Sequence, residues 1–258
     1  MLQHKLLASV DLDDSARMHV HAEILEQKPI LKEVFTEFHT TMLRLDRKHL
    51  AQTGGMKIEL GAGVFPIKRT FDDVLATDVV ASPDTDLVLD ALAMDLPDES
   101  VHALYGQNCF HHFPDPDRFF KEALRVLKPG GGVVLIDPYH GPLASFVYRR
   151  LFTTETFVKD ADNWQTDMAG PMVGANQALS YVVFVRGRDE FDRRHGGLDV
   201  VEMKPLSSYV RYLLSGGLNF VKLVPDFAAG ALKAAEWALR PGLSLLGLHQ
   251  VIVLKKQS

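Results

Sequence analysis

Cysteine is nearly absent from this chain of 258 residues, in which Cys109 is the single example. One cysteine cannot form an intramolecular disulfide, and it excludes a cysteine-rich zinc site. Basic runs are missing as well, and the formal net charge is −5, so the composition argues against a nucleic-acid partner. These shortages favour a reducing compartment, and we predict a cytoplasmic protein.

Long apolar segments are also lacking. The longest uncharged segment, residues 168–185, is interrupted by Gly170, Pro171 and Gly174, whereas a spanning helix needs ~20 mostly apolar residues. We therefore predict no membrane span. Residues 1–10 contain one lysine and a very short apolar stretch, which is too little for a secretory signal.

Helical patterns dominate residues 1–52. Residues 11–14 are suited to capping a first helix that ends near Pro29, and a second helix is expected to begin at that proline. Its apolar residues follow helical spacing, which predicts core packing, with a lid over a site as the alternative. They are Ile30, Leu31, Val34, Phe35, Phe38, Met42 and Leu45.

Strands and helices alternate over residues 56–137, the pattern of a parallel sheet covered on both faces. We predict strands at residues 56–60, 74–77, 87–89, 103–105 and 133–136, and a helix at 115–127 that ends before a glycine-rich turn at 128–132. Residues 181–185 fit either a strand or a helix.

The last part of the chain is expected to complete the sheet. Two strands are predicted at residues 200–203 and 250–254, with an apolar helix at 226–239 between them. That helix is apolar enough to suggest a membrane surface, but only Lys233 and Arg240 are basic, so packing on the sheet is the favoured interpretation.

A glycine turn follows the first predicted strand, in the order Glu59, Gly61, Gly63. Glycine has no Cβ, so a ligand can lie directly against such a turn. A carboxylate before the turn would repel a pyrophosphate, but it suits a ligand that carries an ammonium group. Pro66 also stands where the dinucleotide fingerprint has its last glycine. The turn therefore favours S-adenosylmethionine over NAD.

Four further sequence motifs follow the glycine turn, at residues 76–79, 89–98, 108–115 and 124–131. With them, residues 56–138 resemble a class I S-adenosylmethionine-dependent methyltransferase of the type 11 branch, which acts on small molecules. The resemblance implies an α/β fold with a Rossmann-like sheet of seven strands and helices on both faces. It also implies a methyl donor bound at the carboxyl ends of the first strands.

The resemblance assigns roles to particular positions. Glu59 would hold the methionine end of the donor, Asp78 would accept both ribose hydroxyls, and Asp90 would accept the adenine amino group. The backbone N–H of Ala91 would reach a ring nitrogen of the adenine. The predicted cofactor-binding residues are Glu59, Gly61, Ala62, Gly63, Asp78, Val79, Asp90, Ala91, Gln107 and Asn108.

Two departures from the family pattern affect the expected fold. Phe65 occupies the position of a third glycine, and residues 66–71 leave room for only a shortened first helix. Residues 79–85 are too few for a crossover helix, which takes at least ~10–12 residues with its connections. We predict that the second crossover helix is missing and that the third strand is short or irregular and lies at the sheet edge.

Candidate catalytic residues follow the fourth and fifth predicted strands. An alcohol acceptor must lose a proton, so a base within hydrogen-bond reach is expected. His140 is the preferred base, with His111 and His112 as further candidates and an alternative role of orienting their loop. Asp137 and Tyr139 lie nearby. No metal site is predicted, because adjacent histidines are expected to diverge and no spaced ligand pair is present.

We predict four segments. They are an N-terminal helical segment at 1–52, a cofactor-binding core at 53–138, an acceptor-binding insertion or lid at 139–198, and a completing segment at 199–258. Acceptor contacts are expected from Trp164, Gln165, Asn176, Gln177 and Tyr181.

The predicted activity is methyl transfer to oxygen of a small-molecule or glycan-like acceptor. A methyltransferase-like binding or scaffolding protein without turnover is the alternative, and an NAD-dependent oxidoreductase is less favoured.

Overall fold

The computed structural model describes residues 2–8, 10–11, 16–166 and 174–258. The predicted cap at residues 11–14 falls mostly outside them. One sheet runs through the described chain in the order β3-β2-β1-β4-β5-β7-β6. β7 runs antiparallel to both β5 and β6, and all other neighbouring strands pair in parallel. The strands are β1 Met56–Leu60, β2 Leu75–Asp78, β3 Leu87–Val88, β4 Val101–Gln107, β5 Leu127–Pro138, β6 Leu198–Pro205 and β7 His249–Lys256.

Helices cover both faces of this sheet. They are α1 Ala16–Glu26, α2 Pro29–His49, α3 Pro116–Val126, α4 Pro142–Arg150, α5 Leu179–Tyr181, α6 Arg188–Arg194, α7 Tyr209–Ser215, α8 Ala229–Ala238 and α9 Leu243–Leu246. A π-helical turn, Val182–Arg186, continues α5, so the ambiguous segment at 181–185 is helical. None of the helices described is long and apolar enough to span a membrane.

The predicted Rossmann-like sheet of seven strands is confirmed, and so are its shortened crossovers. The link from β1 to β2 contains only a single 3-10 turn, Ile67–Arg69. The link from β2 to β3 has no helix, and the Asp86 carboxylate braces it by accepting from the Ala76 N–H at 2.9 Å and from Lys68 Nζ at 2.7 Å. The third strand has two residues, both exposed at the sheet edge.

Each face of the sheet has its own apolar core. The stripe of α2 packs against one face and is buried as predicted, with Phe38 and Met42 among its best covered side chains. On the other face lies a group of phenylalanines from the 3-10 turn Phe110–His112, α3, the π-helical turn and α6: Phe110, Phe119, Phe120, Phe184 and Phe191. A buried carboxylate also fixes α2, because Asp46 accepts from the hydroxyl of Tyr105 at 2.6 Å.

Two expectations were wrong. The glycine-rich segment 128–132 is not a turn before the strand but lies inside β5. A Cβ on Gly131 or Gly132 would collide with the carbonyl oxygens of His102 and Leu254, so these glycines let neighbouring strands approach. The apolar C-terminal helix, α8, does not pack on the sheet. It packs on α7, and Glu236 is its only buried residue.

Candidate active site

A cavity of about 710 Å³ opens at the carboxyl ends of β1, β2 and β4. All ten residues predicted to bind a cofactor line it, and so do His111 and His112. Its opposite wall comes from α1 and from residues 216–220 after α7. The fold therefore brings the N-terminal helix and the C-terminal part of the chain to the edge where the first strands end.

The glycine turn after β1 forms the floor of this cavity. Gly61 and Gly63 have φ of +61° and +55°, a region that favours glycine. A Cβ on Gly61 would lie 2.9 Å from the Cβ of Cys109, so the buried cysteine excludes a larger residue there. A Cβ on Gly63 would meet nothing closer than 3.9 Å, which leaves the backbone open to a ligand.

Glu59 supports the turn from below. Its carboxylate accepts from the N–H of Ile67 at 2.7 Å, and its carbonyl accepts from the Thr77 hydroxyl at 2.7 Å. Burial raises the pKa of Glu59 to about 8, because an ionised carboxylate is poorly solvated there. Its contact with the methionine end of a donor stays a prediction.

Asp78 and Asp90 both line the cavity, and their ribose and adenine roles stay predictions. Asp78, at the end of β2, accepts from the N–H groups of Gly63 and Val80, each at 3.2 Å. Asp90, after β3, is exposed and accepts from the N–H of Leu92 at 2.8 Å. Both side chains thus keep acceptor capacity toward the cavity, since a carboxylate offers about four lone-pair sites.

The residues after β4 offer unused acceptors. Gln107 Oε1 and Asn108 Oδ1 are buried and have no hydrogen-bond partner in the described part of the chain. Asn108 is held with φ of +52°, and its N–H donates to the carbonyl of Ile136 at 2.7 Å. Because buried polar atoms normally have partners, two free amide oxygens in a cavity fit a ligand with donor groups such as an ammonium.

Beyond these amides, His111 lies between two carboxylates. Its Nδ1 is 2.7 Å from Asp137 and its Nε2 is 3.1 Å from Glu155. Ser180 donates to the other oxygen of Asp137. Burial alone would lower the pKa of His111, but the two carboxylates outweigh it and raise the pKa to about 10.

His112 completes this group from the cavity side. Its Nε2 lies 3.8 Å from Glu155, and its ring centroid is 4.2 Å from that of His111. The adjacent histidines therefore converge on one carboxylate rather than diverge, and one potential ligand atom from each of the three lies within 4.8 Å of the others. Burial would raise the pKa of Glu155, yet the hydrogen bond and charge of His111 lower it.

His140 lies apart from this cluster and does not line the cavity. Its ring packs between Tyr139 and Tyr181, with centroids 4.4 and 5.0 Å away. Burial and the nearby charge of Lys159 lower the pKa of His140 to about 4. The structure thus brings His111, His112 and Asp137 together and leaves His140 and Tyr139 outside.

The distal part of the cavity is largely aromatic and was mostly missed from the sequence. Of the five predicted acceptor residues only Gln177 lines it, whereas Trp164 belongs to the core and Asn176 bonds the backbone of Val158. Its actual lining includes Arg17, His21, Tyr148, Phe152, Glu155, Tyr212, Asn219, Phe220 and His249. The spacing of Arg17 and His21 on α1 was the available signal, since residues four apart share a helix face.

Residues 21–135 match the family described as "Methyltransferase domain". The matched range contains the ten cofactor-binding candidates and the His111–His112 pair, and ends before Asp137, His140 and Glu155. The cofactor of a methyltransferase domain is S-adenosylmethionine, and the free amide oxygens, open glycine turn and two aspartates fit its groups.

Solved methyltransferase structures are similar to this chain at low identity. Phosphoethanolamine N-methyltransferase 2 of Haemonchus contortus, in complex with S-adenosylmethionine, is 15% identical with a TM-score of 0.47, over 86% of this chain and 52% of that one. Geranyl diphosphate C-methyltransferase of Streptomyces coelicolor A3(2) is 16% identical with a TM-score of 0.45, over 84% and 77%.

A putative sarcosine dimethylglycine methyltransferase of Galdieria sulphuraria is 15% identical with a TM-score of 0.43, over 86% of this chain and 85% of that one. This chain spans about half the length of the Haemonchus structure. The three names carry different acceptors, and none of these similarities identifies an acceptor for this chain.

Proposed function

We propose that the chain transfers a methyl group from S-adenosylmethionine to an oxygen atom of a small-molecule or glycan-like acceptor. The observation that carries this proposal is the continuity of one cavity. It joins the ten cofactor-binding candidates to the cluster of His111, His112 and Glu155. A bound donor and a proton-accepting group would therefore share one enclosed space.

The cofactor end of the cavity binds S-adenosylmethionine and orients its methyl group. S-adenosylmethionine, when bound, supplies an electrophilic methyl group on its sulfonium sulfur. The free oxygens of Gln107 and Asn108 are suited to accept from an ammonium group, while Asp78 accepts from ribose hydroxyls and Asp90 from the adenine amino group. Alignment of reacting groups in this way can contribute about 7–11 kcal/mol to catalysis.

The acceptor end of the cavity takes up the proton that the acceptor hydroxyl loses. An alcohol must lose a proton as the methyl group arrives, and we assign this proton to the imidazole of His112. Glu155, 3.8 Å from its Nε2, stabilises the imidazolium that forms. His111 holds Glu155 in place and is itself held by Asp137 at 2.7 Å. This order of base, carboxylate and support follows the logic of a catalytic triad.

Cofactor binding is tested by calorimetry with S-adenosylmethionine and S-adenosylhomocysteine. We expect binding of both, and failure of both to bind would reject the enzyme. The acceptor atom is then tested by incubating the protein and methyl-labelled donor with panels of sugars, phenols and amines. Label in an ether product is expected. Cofactor binding without transfer to any panel would favour the scaffolding alternative, and label in an N-methyl product would overturn the oxygen assignment.

The base is tested with His112→Gln and His140→Gln. The first variant should lower kcat about 10²- to 10⁴-fold with little change in KM, because general base catalysis contributes on that scale. The second should retain kcat, since His140 does not line the cavity. The reverse pattern would assign the base to His140 and refute the role of His112.

A further inference from the structure

Several large apolar side chains are exposed on α4 and on residues 223–245, which include α8 and most of α9. Phe227 is 91% exposed and Trp237 is 69% exposed, which is unusual for aromatic residues outside binding surfaces. We refer to this group as the apolar face, and it consists of Phe146, Leu223, Phe227, Trp237, Leu239 and Leu245.

The packing of α8 explains why these side chains point outward. The helix is attached to α7 through its single buried residue, Glu236, whose carboxylate accepts from the backbone N–H and Nε of Arg211, each at 2.8 Å. An ion pair thus occupies the inner side, and the apolar residues are left outside. The neighbouring α9 packs on α4, so Leu245 and Phe146 belong to contacting helices.

Charge around the apolar face is predominantly positive. Residues 139–152 and 222–248 contain the basic Arg149, Arg150, Lys222, Lys233 and Arg240 against only two acidic residues. Asp226 and Glu236 are paired with Lys222 and Arg211, and Lys233 is paired with Glu33 and Glu37 of α2, so the positive charge left unpaired in the described part of the chain is that of the three arginines. Within the described residues, the three arginines form no ion pair with a carboxylate. The protein as a whole has a net charge of −5, so this positive region is local.

We propose that the apolar face docks the protein on the surface of an anionic phospholipid bilayer. Helices that lie in the headgroup region combine exposed Trp, Phe and Leu with basic side chains, and anionic lipids attract each such charge. A second copy of the chain is a poorer occupant. A two-fold dimer through this face would bring the positive regions of both copies together, and like charges at an interface are unfavourable.

The apolar face is connected to the cavity through α7. The helix that carries α8, α7, leads directly into residues 216–220, which form one wall of the cavity. The surface proposed to meet the bilayer is thus attached to the cavity wall. The proposal does not depend on the acceptor or on methyl transfer itself.

Tryptophan fluorescence can report binding of the apolar face to vesicles. Trp164 is buried at 4% exposure and Trp237 is 69% exposed, so a change in emission on adding vesicles reports mainly on Trp237. We expect a blue shift and co-sedimentation with phosphatidylcholine vesicles that contain phosphatidylglycerol. Both effects should be weaker with phosphatidylcholine alone and at high salt, because the charge attraction is screened.

Variants separate the apolar from the charged contribution. Phe227→Ser should weaken binding to the anionic vesicles by at least about tenfold, from lost burial of one aromatic side chain. Arg240→Gln removes one positive charge and should make binding to the anionic vesicles less dependent on salt concentration. Val201→Thr, an exposed position on β6, is the matched control and should bind like wild type. Unchanged thermal unfolding of each variant shows that it is folded.

Three outcomes would overturn the proposal. They are no binding to anionic vesicles, equal binding of wild type and Phe227→Ser, or equal binding to both vesicle types. A dimer in light scattering that Trp237→Ser disrupts, with no vesicle binding, would assign the face to a second copy instead.

Discussion

Ionisation of Glu59 is expected to make the stability of the folded protein depend on pH. In the folded protein its pKa is raised from 4.5 to about 8 by burial. Folding therefore takes up a proton between these two values. Stability is fully present below pH 4.5 and is lost progressively as the pH rises to 8. Each pH unit in this window changes the free energy of unfolding by up to about 1.4 kcal/mol.

Glu59→Gln removes this dependence, because an amide is neutral at every pH and its oxygen can still accept from the N–H of Ile67. Relative to wild type, the variant should gain about 4 kcal/mol in the free energy of unfolding between pH 5 and pH 8. Urea unfolding followed by circular dichroism at each pH measures this difference. Glu23→Gln, at an exposed position on α1, controls for the loss of one acid. Parallel curves for Glu59→Gln and wild type would refute a protonated Glu59.

Three further predictions concern the cofactor edge and the α2 packing. Asp78→Ala should weaken S-adenosylmethionine binding at least about tenfold in calorimetry, since one hydrogen bond to a charged group contributes about 1.5–3 kcal/mol; unchanged affinity would contradict the ribose role. Gly61→Ala should lower the free energy of unfolding by more than Gly54→Ala. Both glycines have positive φ, of +61° and +67°, but only a Cβ at Gly61 would meet another side chain within 3 Å; equal losses in urea unfolding would argue against that contact. Burial lowers the pKa of His39 to about 4, so protonation of this residue alone should lower the free energy of unfolding by about 3 kcal/mol as the pH falls from 6.5 to 4. Burial also lowers the pKa of His21 and His140 to about 4, so His39→Gln should lose about 3 kcal/mol less than wild type over this range; an acid limb identical to wild type would exclude a contribution from His39.

The sequence predicted the sheet and its unusual crossovers because both depend on local spacing. The short interval between Asp78 and Asp90 leaves no room for a helix, and chain length alone decides that. The ten cofactor-binding candidates follow strand ends, and parallel strands end at one edge, so their common placement in the cavity also follows from local order.

The acceptor end could not be predicted in the same way. Glu155 stands alone in an irregular segment, and its approach to His111 depends on how residues 140–180 fold over the sheet. His140 lies two positions past the end of β5, where the chain has turned away from the cavity, and spacing along the sequence does not show that turn. Residues 128–132 were wrongly predicted as a turn for a different reason. In the sequence, glycines that let two strands approach closely cannot be distinguished from glycines that allow a turn.

The contact between Gly61 and Cys109 makes the single thiol a reporter of motion in the cofactor turn. Cys109 is buried, and burial raises its pKa well above the usual value, so a thiol reagent can react only when the turn opens. Labelling rates then measure how often that opening occurs, on the timescale of local unfolding. A bound donor lying on the turn should slow this labelling in proportion to its occupancy, without any engineered probe.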